Sequence, residues 1–217
     1  MRKTSVGVIG LGKFGLSFAQ TLVDLGQEVV GLDAVPDNVR RAQDVLTQVY
    51  QGDAMDKKVL EQLGFSDLGV VMVSVGQSIE ASAMICLYLK EMGAAQVWVK
   101  AVSRDHEKLL NRIGVDHVIL PEYFAASQLA HSLATPGLIA YLPFDEGMAL
   151  REVNIERWSG KTLRDLNLTN TYGVQVIAIR NVGDARFVYV PRADIPLKKG
   201  DTLVVLGRTE DLERLKP

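Results

Sequence analysis

The sequence predicts an α/β protein in two parts: a doubly wound, six-stranded parallel sheet with one further helix, then a small β-rich α+β lobe. Three observations lead there. From residue 5 to residue 120, short apolar runs alternate with helix-period stretches, the pattern of a parallel sheet covered on both faces. A glycine turn, Gly10-Leu-Gly-Lys-Phe-Gly15, joins the first apolar run to the first helical stretch. Beyond residue 148 the helix periodicity gives way to short strands separated by Asn, Gly and Asp.

The expected strands of the first part are Val6 to Ile9, Glu28 to Leu32, Gln48 to Gln51, Val70 to Val75, Val97 to Ala101 and Val118 to Leu120. Phe14, Phe18, Leu22 and Leu25 repeat at helical spacing behind the first strand, and Gly26 supplies the stop. Pro36 with Asp37 opens the next helix, which runs to Leu46. Lys57 to Leu63 ends at Gly64, Ile79 to Met92 at Gly93, and Asp105 to Ile113 at Gly114. Six strands complete a Rossmann-like set. A further helix, Pro121 to Ala134, follows and still carries apolar faces, so a second subunit is the expected cover. Thr135-Pro-Gly and Pro143-Phe-Asp-Glu-Gly mark a boundary. The predicted organisation is therefore residues 1–135 as a first domain with its crossover helix, 136–148 as a linker, and 149–217 as the small lobe. Leu150 to Ile155, Gln175 to Arg180, Arg186 to Val190 and Thr202 to Leu206 are its expected strands, and Thr209 the N-cap of a terminal helix.

The chain has 217 residues, 47% of them hydrophobic, enough to bury a substantial core. A net charge of -2 gives no electrostatic argument for nucleic acid or for an anionic membrane surface. Cys86 is the single cysteine and lies in an apolar run, which reads as a buried structural thiol in a reducing compartment. Without an 18-residue apolar stretch or a signal-type N-terminus, the expected location is cytoplasmic.

The glycine turn carries the chemistry. Gly10 permits the tight exit from the strand, Gly12 lets backbone approach a phosphate, and Gly15 lets the helix pack on the sheet. Phosphates then sit over free N–H groups at a helix N-terminus, where the dipole favours negative charge. Asp33 ends the second strand about 20 residues on, where a carboxylate accepts ribose hydroxyls and disfavours a 2′-phosphate. Ligands of open parallel sheets bind beyond the carboxyl ends of the strands, which adds Lys13 and Phe14 in the turn, Asp53 and Ala54 after strand three, Gly76 and Gln77 after strand four, Lys100 after strand five, and Glu122 after strand six. Lys13 can reach a terminal phosphate or stand in solvent. Lys100 extends a buried run, which favours a phosphate or carboxylate partner. Glu122 stands near a helix start, where the dipole alone explains an acid as well as a functional role does.

Catalytic equipment is thin. No Tyr-x-x-x-Lys pair is present, and His106, His117 and His131 lack metal-ligand spacing or an acid-base partner. Gly160-Lys-Thr162 is no P-loop, because Ile155 holds the required first glycine position. A nucleotide site without reacting groups points to sensing rather than to enzymatic turnover.

The glycine turn, Asp33, Gly52-Asp-Ala54, Val73 to Ser82, Trp98 to Ala101 and Gly114 to Glu122 closely resemble the RCK (regulator of K⁺ conductance) domains of the Ktr and Trk potassium-uptake systems, most nearly their KtrA-like members. Leu150 to Val153, Gly160 to Leu168, Tyr172 to Arg180 and Lys199 to Gly207 resemble the accompanying C-terminal RCK lobe (TrkA-C). The resemblance implies a cytosolic regulatory subunit, dimeric through the helix after strand six, forming an octameric ring of four dimers beneath a KtrB- or TrkH-like integral-membrane K⁺ transporter subunit. It implies ATP and ADP, or NADH and NAD, competing for the N-terminal site. Lys13 stands where the family has an arginine that reaches the γ-phosphate across the dimer; lysine keeps the charge and loses bidentate geometry. The resemblance also implies Mg²⁺ or Ca²⁺ at Glu122, and cyclic di-AMP between C-terminal lobes near Arg180, Asn181 and Pro191. The rival readings are a small NAD-dependent oxidoreductase and a dimeric adaptor that senses a small molecule through its C-terminal lobe.

Overall fold

A computed structural model describes residues 5–75, 78–134, 137–141 and 147–217. Two compact units divide at Pro121/Glu122. In the first, β1 (Ser5–Ile9), β2 (Glu28–Asp33), β3 (Gln48–Gln51), β4 (Val70–Val73), β5 (Val97–Lys100) and β6 (His117–Ile119) form a wholly parallel sheet of order β3-β2-β1-β4-β5-β6. The order reverses at β1, so the crevice beyond its carboxyl end is the switch point. Helices α1 (Lys13–Asp24), α2 (Pro36–Gln43), α3 (Lys57–Gln62), α4 (Ile79–Glu91) and α5 (Arg104–Ile113) make the crossovers.

The central strands β1 and β4 are buried on both faces, which explains their near-continuous apolar runs, whereas edge strand β3, Gln48-Val-Tyr-Gln51, is largely exposed. Successive residues of β4 show it: Val71 and Val73 join one core cluster with Ile85, Leu89 and Leu110, while Met72 joins the other with Val8, Leu11 and Ala19. Cys86 is fully buried in the first cluster, and burial pushes its thiol up to about 12. Strand β4 ends at Val73 rather than Val75; the Ser74 N–H still donates to the Ile9 carbonyl at 2.7 Å, and the backbone there runs so close to Gly10 that a Cβ on Gly10 would lie 2.6 Å from the Ser74 carbonyl oxygen.

The second unit contains α6 (Pro121–Ala134, all but its first residue) and an antiparallel sheet of order β10-β9-β11-β8-β7. Its strands are β7 (Leu138–Tyr141), β8 (Met148–Asn154), β9 (Gln175–Arg180), β10 (Val188–Tyr189) and β11 (Thr202–Arg208). Ala149, Val153, Val205 and Leu203 pack with Ile155, Trp158 and Leu212 into a separate core. Strand β7 falls in the stretch expected to be linker and pairs antiparallel with β8. Two short helices, α7 (Leu163–Leu166) and α8 (Leu168–Tyr172), occupy the stretch between β8 and β9; Thr162 and Asp165 form a capping box at the first. Thr209 is not an N-cap. It is the first residue of α9 (Thr209–Glu213), and its hydroxyl donates to the Gly147 carbonyl at 2.9 Å, so it is committed to the entry of β8. Among the described residues, no helix is long and apolar enough to cross a membrane.

Candidate functional site

The glycine turn folds as its residues require. Gly10 has φ +92°, and Gly15 packs so that an added Cβ would collide with the Gly10 carbonyl oxygen. Gly12 is different: a Cβ there would meet nothing within 4 Å. It is the N-cap of α1, has no side chain to cap the helix, and is followed by no acidic residue in the first turn. The first N–H groups of α1 therefore stand beside open space with no side chain of the helix's own first turn capping them, the local chemistry of an anion site.

Asp33 is 8% exposed and lies under this turn. Its Oδ2 accepts from the Leu11 backbone N–H at 2.6 Å and from Asn38 Nδ2 at 2.9 Å; its Oδ1 accepts from the Val35 N–H at 2.8 Å. The carboxylate thus ties the end of β2 to the glycine turn and to the start of α2. That second task was not legible from Asp33 as a ribose acceptor alone.

A cavity of about 650 Å³ opens at this edge, a size suited to a nucleotide. It brings together Gly10, Gly12, Lys13, Phe14, Asp33, Asp53, Ala54 and Lys100 from the sequence-predicted set. Gly15 is buried behind the turn and acts on the packing of α1 rather than on the cavity wall. Lys13 is exposed at the first position of α1. The Lys100 ammonium lies 5.6 Å from the Phe14 ring centroid, an orientation the aromatic face favours, and both line the cavity. Asp53 accepts the Met55 N–H at 2.9 Å, which fixes the loop after β3. Gly76 and Gln77 lie outside the described residues. Sequence reasoning missed Val35, Asn38, Met55 and Ser74, which also line the cavity; the one available signal was their place just past a strand's carboxyl end.

Glu122 is exposed on α6 in the second unit. Among the described residues, no three His, Cys, Asp or Glu side chains converge as a metal site. In the C-terminal lobe, Arg180 stacks 4.5 Å from the Phe187 ring and lies 3.8 Å from Glu152. Asn181 donates to Asp184 at 3.3 Å. Pro191 lines a separate hollow of about 170 Å³ with Leu163, Leu168 and Gln175, and neither Arg180 nor Asn181 lines it.

His106 is 2% exposed; its Nδ1 accepts from the Val102 N–H at 3.3 Å, its Nε2 is buried with no hydrogen-bond partner among the described residues, and desolvation holds its pKa below the ordinary imidazole value. His117 rests against Trp98, with ring centroids 4.1 Å apart.

Comparison with known proteins agrees with this architecture. Residues 6–121 match the TrkA-N domain and residues 148–217 the TrkA-C domain. The chain is 34% identical to Ktr system potassium uptake protein C of Bacillus subtilis, over 99% of this chain and 96% of that one. It is 32% identical to Ktr system potassium uptake protein A of Vibrio alginolyticus, over 94% of this chain and 93% of that one. Among solved structures, the RCK domain of GsuK is similar with a TM-score of 0.55 at 20% identity, covering 98% of this chain and 46% of the GsuK chain. A GsuK channel bound to NAD is similar with a TM-score of 0.51 at 19% identity, over 98% of this chain and 38% of that one. The chain thus spans less than half of those channel chains, and at such identity they speak for the fold alone. A Rossmann-like parallel sheet with a glycine turn at its switch point, joined to a separate antiparallel lobe and matched end to end by Ktr proteins, places this chain in the TrkA-N/TrkA-C family of potassium uptake proteins.

Proposed function

We propose that this chain is a cytosolic, nucleotide-sensing regulatory subunit of a K⁺ transporter. An adenine nucleotide, ATP/ADP or NAD(H), binds the cavity at the carboxyl edge of the parallel sheet, within a functional lobe taken as residues 1–135, and alters an assembly of copies beneath a membrane subunit. The observation that carries the reading is the cavity itself, in which an uncapped α1 N-terminus, Lys13 and Asp33 stand together. The family supplies the context, since its named relatives are potassium uptake proteins. One solved neighbour is named as bound to NAD, and a Kef C-terminal domain is named as bound to AMP.

The residues divide the ligand chemically. The α1 N–H groups and Lys13 take phosphate, Asp33 takes ribose, and Val35 and Met55 supply apolar contact for a base. Gating then follows from differential binding: a nucleotide shifts the assembly only by its difference in affinity for the two shapes. No reaction is assigned to the site.

Isothermal titration of the purified protein with ATP, ADP and NADH tests the first step. Binding by at least one is expected, weakened at least about tenfold by Lys13→Ala, since a charge-assisted contact is worth roughly 1.5 kcal/mol or more. Absence of binding by all three overturns the reading. K⁺ flux through the membrane subunit, measured with and without the same nucleotides, tests the second step.

The same reading extends to assembly as dimers and an octameric ring, with α6 between copies. A Mg²⁺ or Ca²⁺ ion at Glu122 would draw its remaining ligands from a second copy and from phosphate; Glu122→Gln should abolish any divalent enhancement of ATP binding. Cyclic di-AMP at Arg180, Asn181 and Pro191, in the lobe taken as residues 149–217, is tested by titration against Arg180→Ala.

A further inference from the structure

The inference rests on the nucleotide reading above and concerns how the site grips ribose. An ionised carboxylate offers about four acceptor positions, two on each oxygen. On Asp33 three are taken: Oδ2 holds both the Leu11 N–H and Asn38 Nδ2, and Oδ1 holds the Val35 N–H. A ribose diol that engages a carboxylate through both oxygens needs one position on each. Here only Oδ1 has one left.

Two of the three donors are backbone groups of the glycine turn and of the β2–α2 loop, fixed by the fold. Among the described residues, Asn38 is the one side-chain donor to Asp33. It is half-buried, lines the cavity, and is held in turn by Arg41, whose guanidinium donates through Nη2 to Asn38 Oδ1 and through Nε to the Asp37 carbonyl oxygen. This chain of partners admits one orientation of the carboxamide. A guanidinium only donates and a carboxylate only accepts, so the amide oxygen faces Arg41 and the amide nitrogen faces Asp33.

We propose that Asn38 is a specificity-determining residue of the nucleotide site: by filling Asp33 Oδ2 it reduces the carboxylate to a single acceptor, so Asp33 reads one ribose hydroxyl and not the pair. Arg41 is the positioning residue that holds it there. The site then tolerates loss of one hydroxyl and responds to loss of the other.

The test is calorimetric titration of the full chain with ADP, 2′-deoxy-ADP and 3′-deoxy-ADP, comparing each analogue with ADP on the same protein, so that any general weakening cancels. In the wild type one monodeoxy analogue should bind within about threefold of ADP and the other at least about tenfold more weakly, the loss expected for a hydrogen bond to a charged group. In Asn38→Ala both oxygens accept, and both analogues should fall at least about fivefold below ADP. Arg41→Ala, which frees the carboxamide without removing it, should move the pattern the same way by less, and serves if Asn38→Ala folds poorly. Equal penalties for the two analogues in the wild type, or ratios unchanged in both variants, overturn the proposal. If ADP itself, ATP and NADH all fail to bind, the nucleotide reading has failed and this inference falls with it; ADP binding with the wrong analogue pattern sinks the inference alone.

Discussion

A methyl group added at Gly12 would enter open space, while one added at Gly15 would strike the carbonyl oxygen of Gly10. The two glycines share one motif and meet different demands, and the difference is measurable. Gly12 has φ −66°, which any residue adopts, so Gly12→Ala should leave thermal stability within a few degrees of the wild type. In the proposed site its Cβ would stand where phosphate approaches the α1 N–H groups, so ADP affinity should drop at least about tenfold. Gly15→Ala should instead destabilise the fold by about 1–3 kcal/mol, the cost of forcing a group into filled space, read as a lowered denaturant midpoint. If Gly12→Ala binds ADP like the wild type, the phosphate does not sit over this turn. The glycines and Asp33 were legible because their spacing is local and each residue's chemistry restricts its use. Asn38 was not. Its contact with Asp33 depends on a carboxylate five positions back being turned toward it by the fold, and on an arginine three positions ahead fixing its amide.

Elements are stitched together by a few side chains whose charge can be titrated. Asp116, just ahead of β6, accepts the Val97 N–H at the start of β5 through Oδ2 at 2.7 Å and pairs with Lys90 near the end of α4 at 3.1 Å. The Val97 hydrogen bond, with Lys90 beside it, holds the Asp116 carboxyl below the usual carboxylate range. A carboxylate whose folded pKa is depressed adds stability above its unfolded pKa, near 4, and that contribution fades as pH falls toward the folded value. Asp116→Asn should therefore lower stability by about 1 kcal/mol at pH 7, with the gap closing below about pH 4. Urea unfolding of both proteins at pH 7 and pH 3 measures it; a gap of equal size at both would deny the ionised group its role. The central parallel strands were legible because burial on both faces leaves apolar runs that glycine-stopped helices separate; β3, Gln48-Val-Tyr-Gln51, was legible from its place between two such helices. The second sheet was harder. Strand β7 is four residues long, directly follows Thr135-Pro-Gly137, and exists through pairing with β8, a long-range contact that local pattern does not carry. Helices α7 and α8, of four and five residues, are too short to show a period, and only the Thr162–Asp165 capping box marks one of them.

At the scale of the whole molecule, α6 poses a physical problem that one chain does not solve. Among its fourteen residues none is buried, and Tyr123, Phe124, Leu129 and Leu133 are all more than half exposed, Leu133 at 87%. Tyr123, Ala126, Ala130 and Leu133 recur at steps of three and four, so they share one side of the helix. A helix of this length is marginal in water unless an apolar side is buried. In the proposed function, pairing with α6 of a second copy would supply that burial through a self-complementary two-fold contact, and would be the step by which a nucleotide in one chain gains an assembly to act on. The double variant Leu129→Glu/Leu133→Glu places like charges on and beside that side and should lower the mass measured by light scattering to that of smaller species, with cooperative unfolding of both cores retained and no more than the helical signal of α6 lost. Nucleotide binding should persist, because the cavity is built within Met1–Pro121. What should vanish is any nucleotide-dependent change in solution scattering, since a ligand cannot bias the shape of an assembly that no longer forms. If the double variant keeps the wild-type mass, α6 is not the contact between copies; if it is monomeric yet still changes shape with ADP, the response resides within the single chain and the ring is not its transducer.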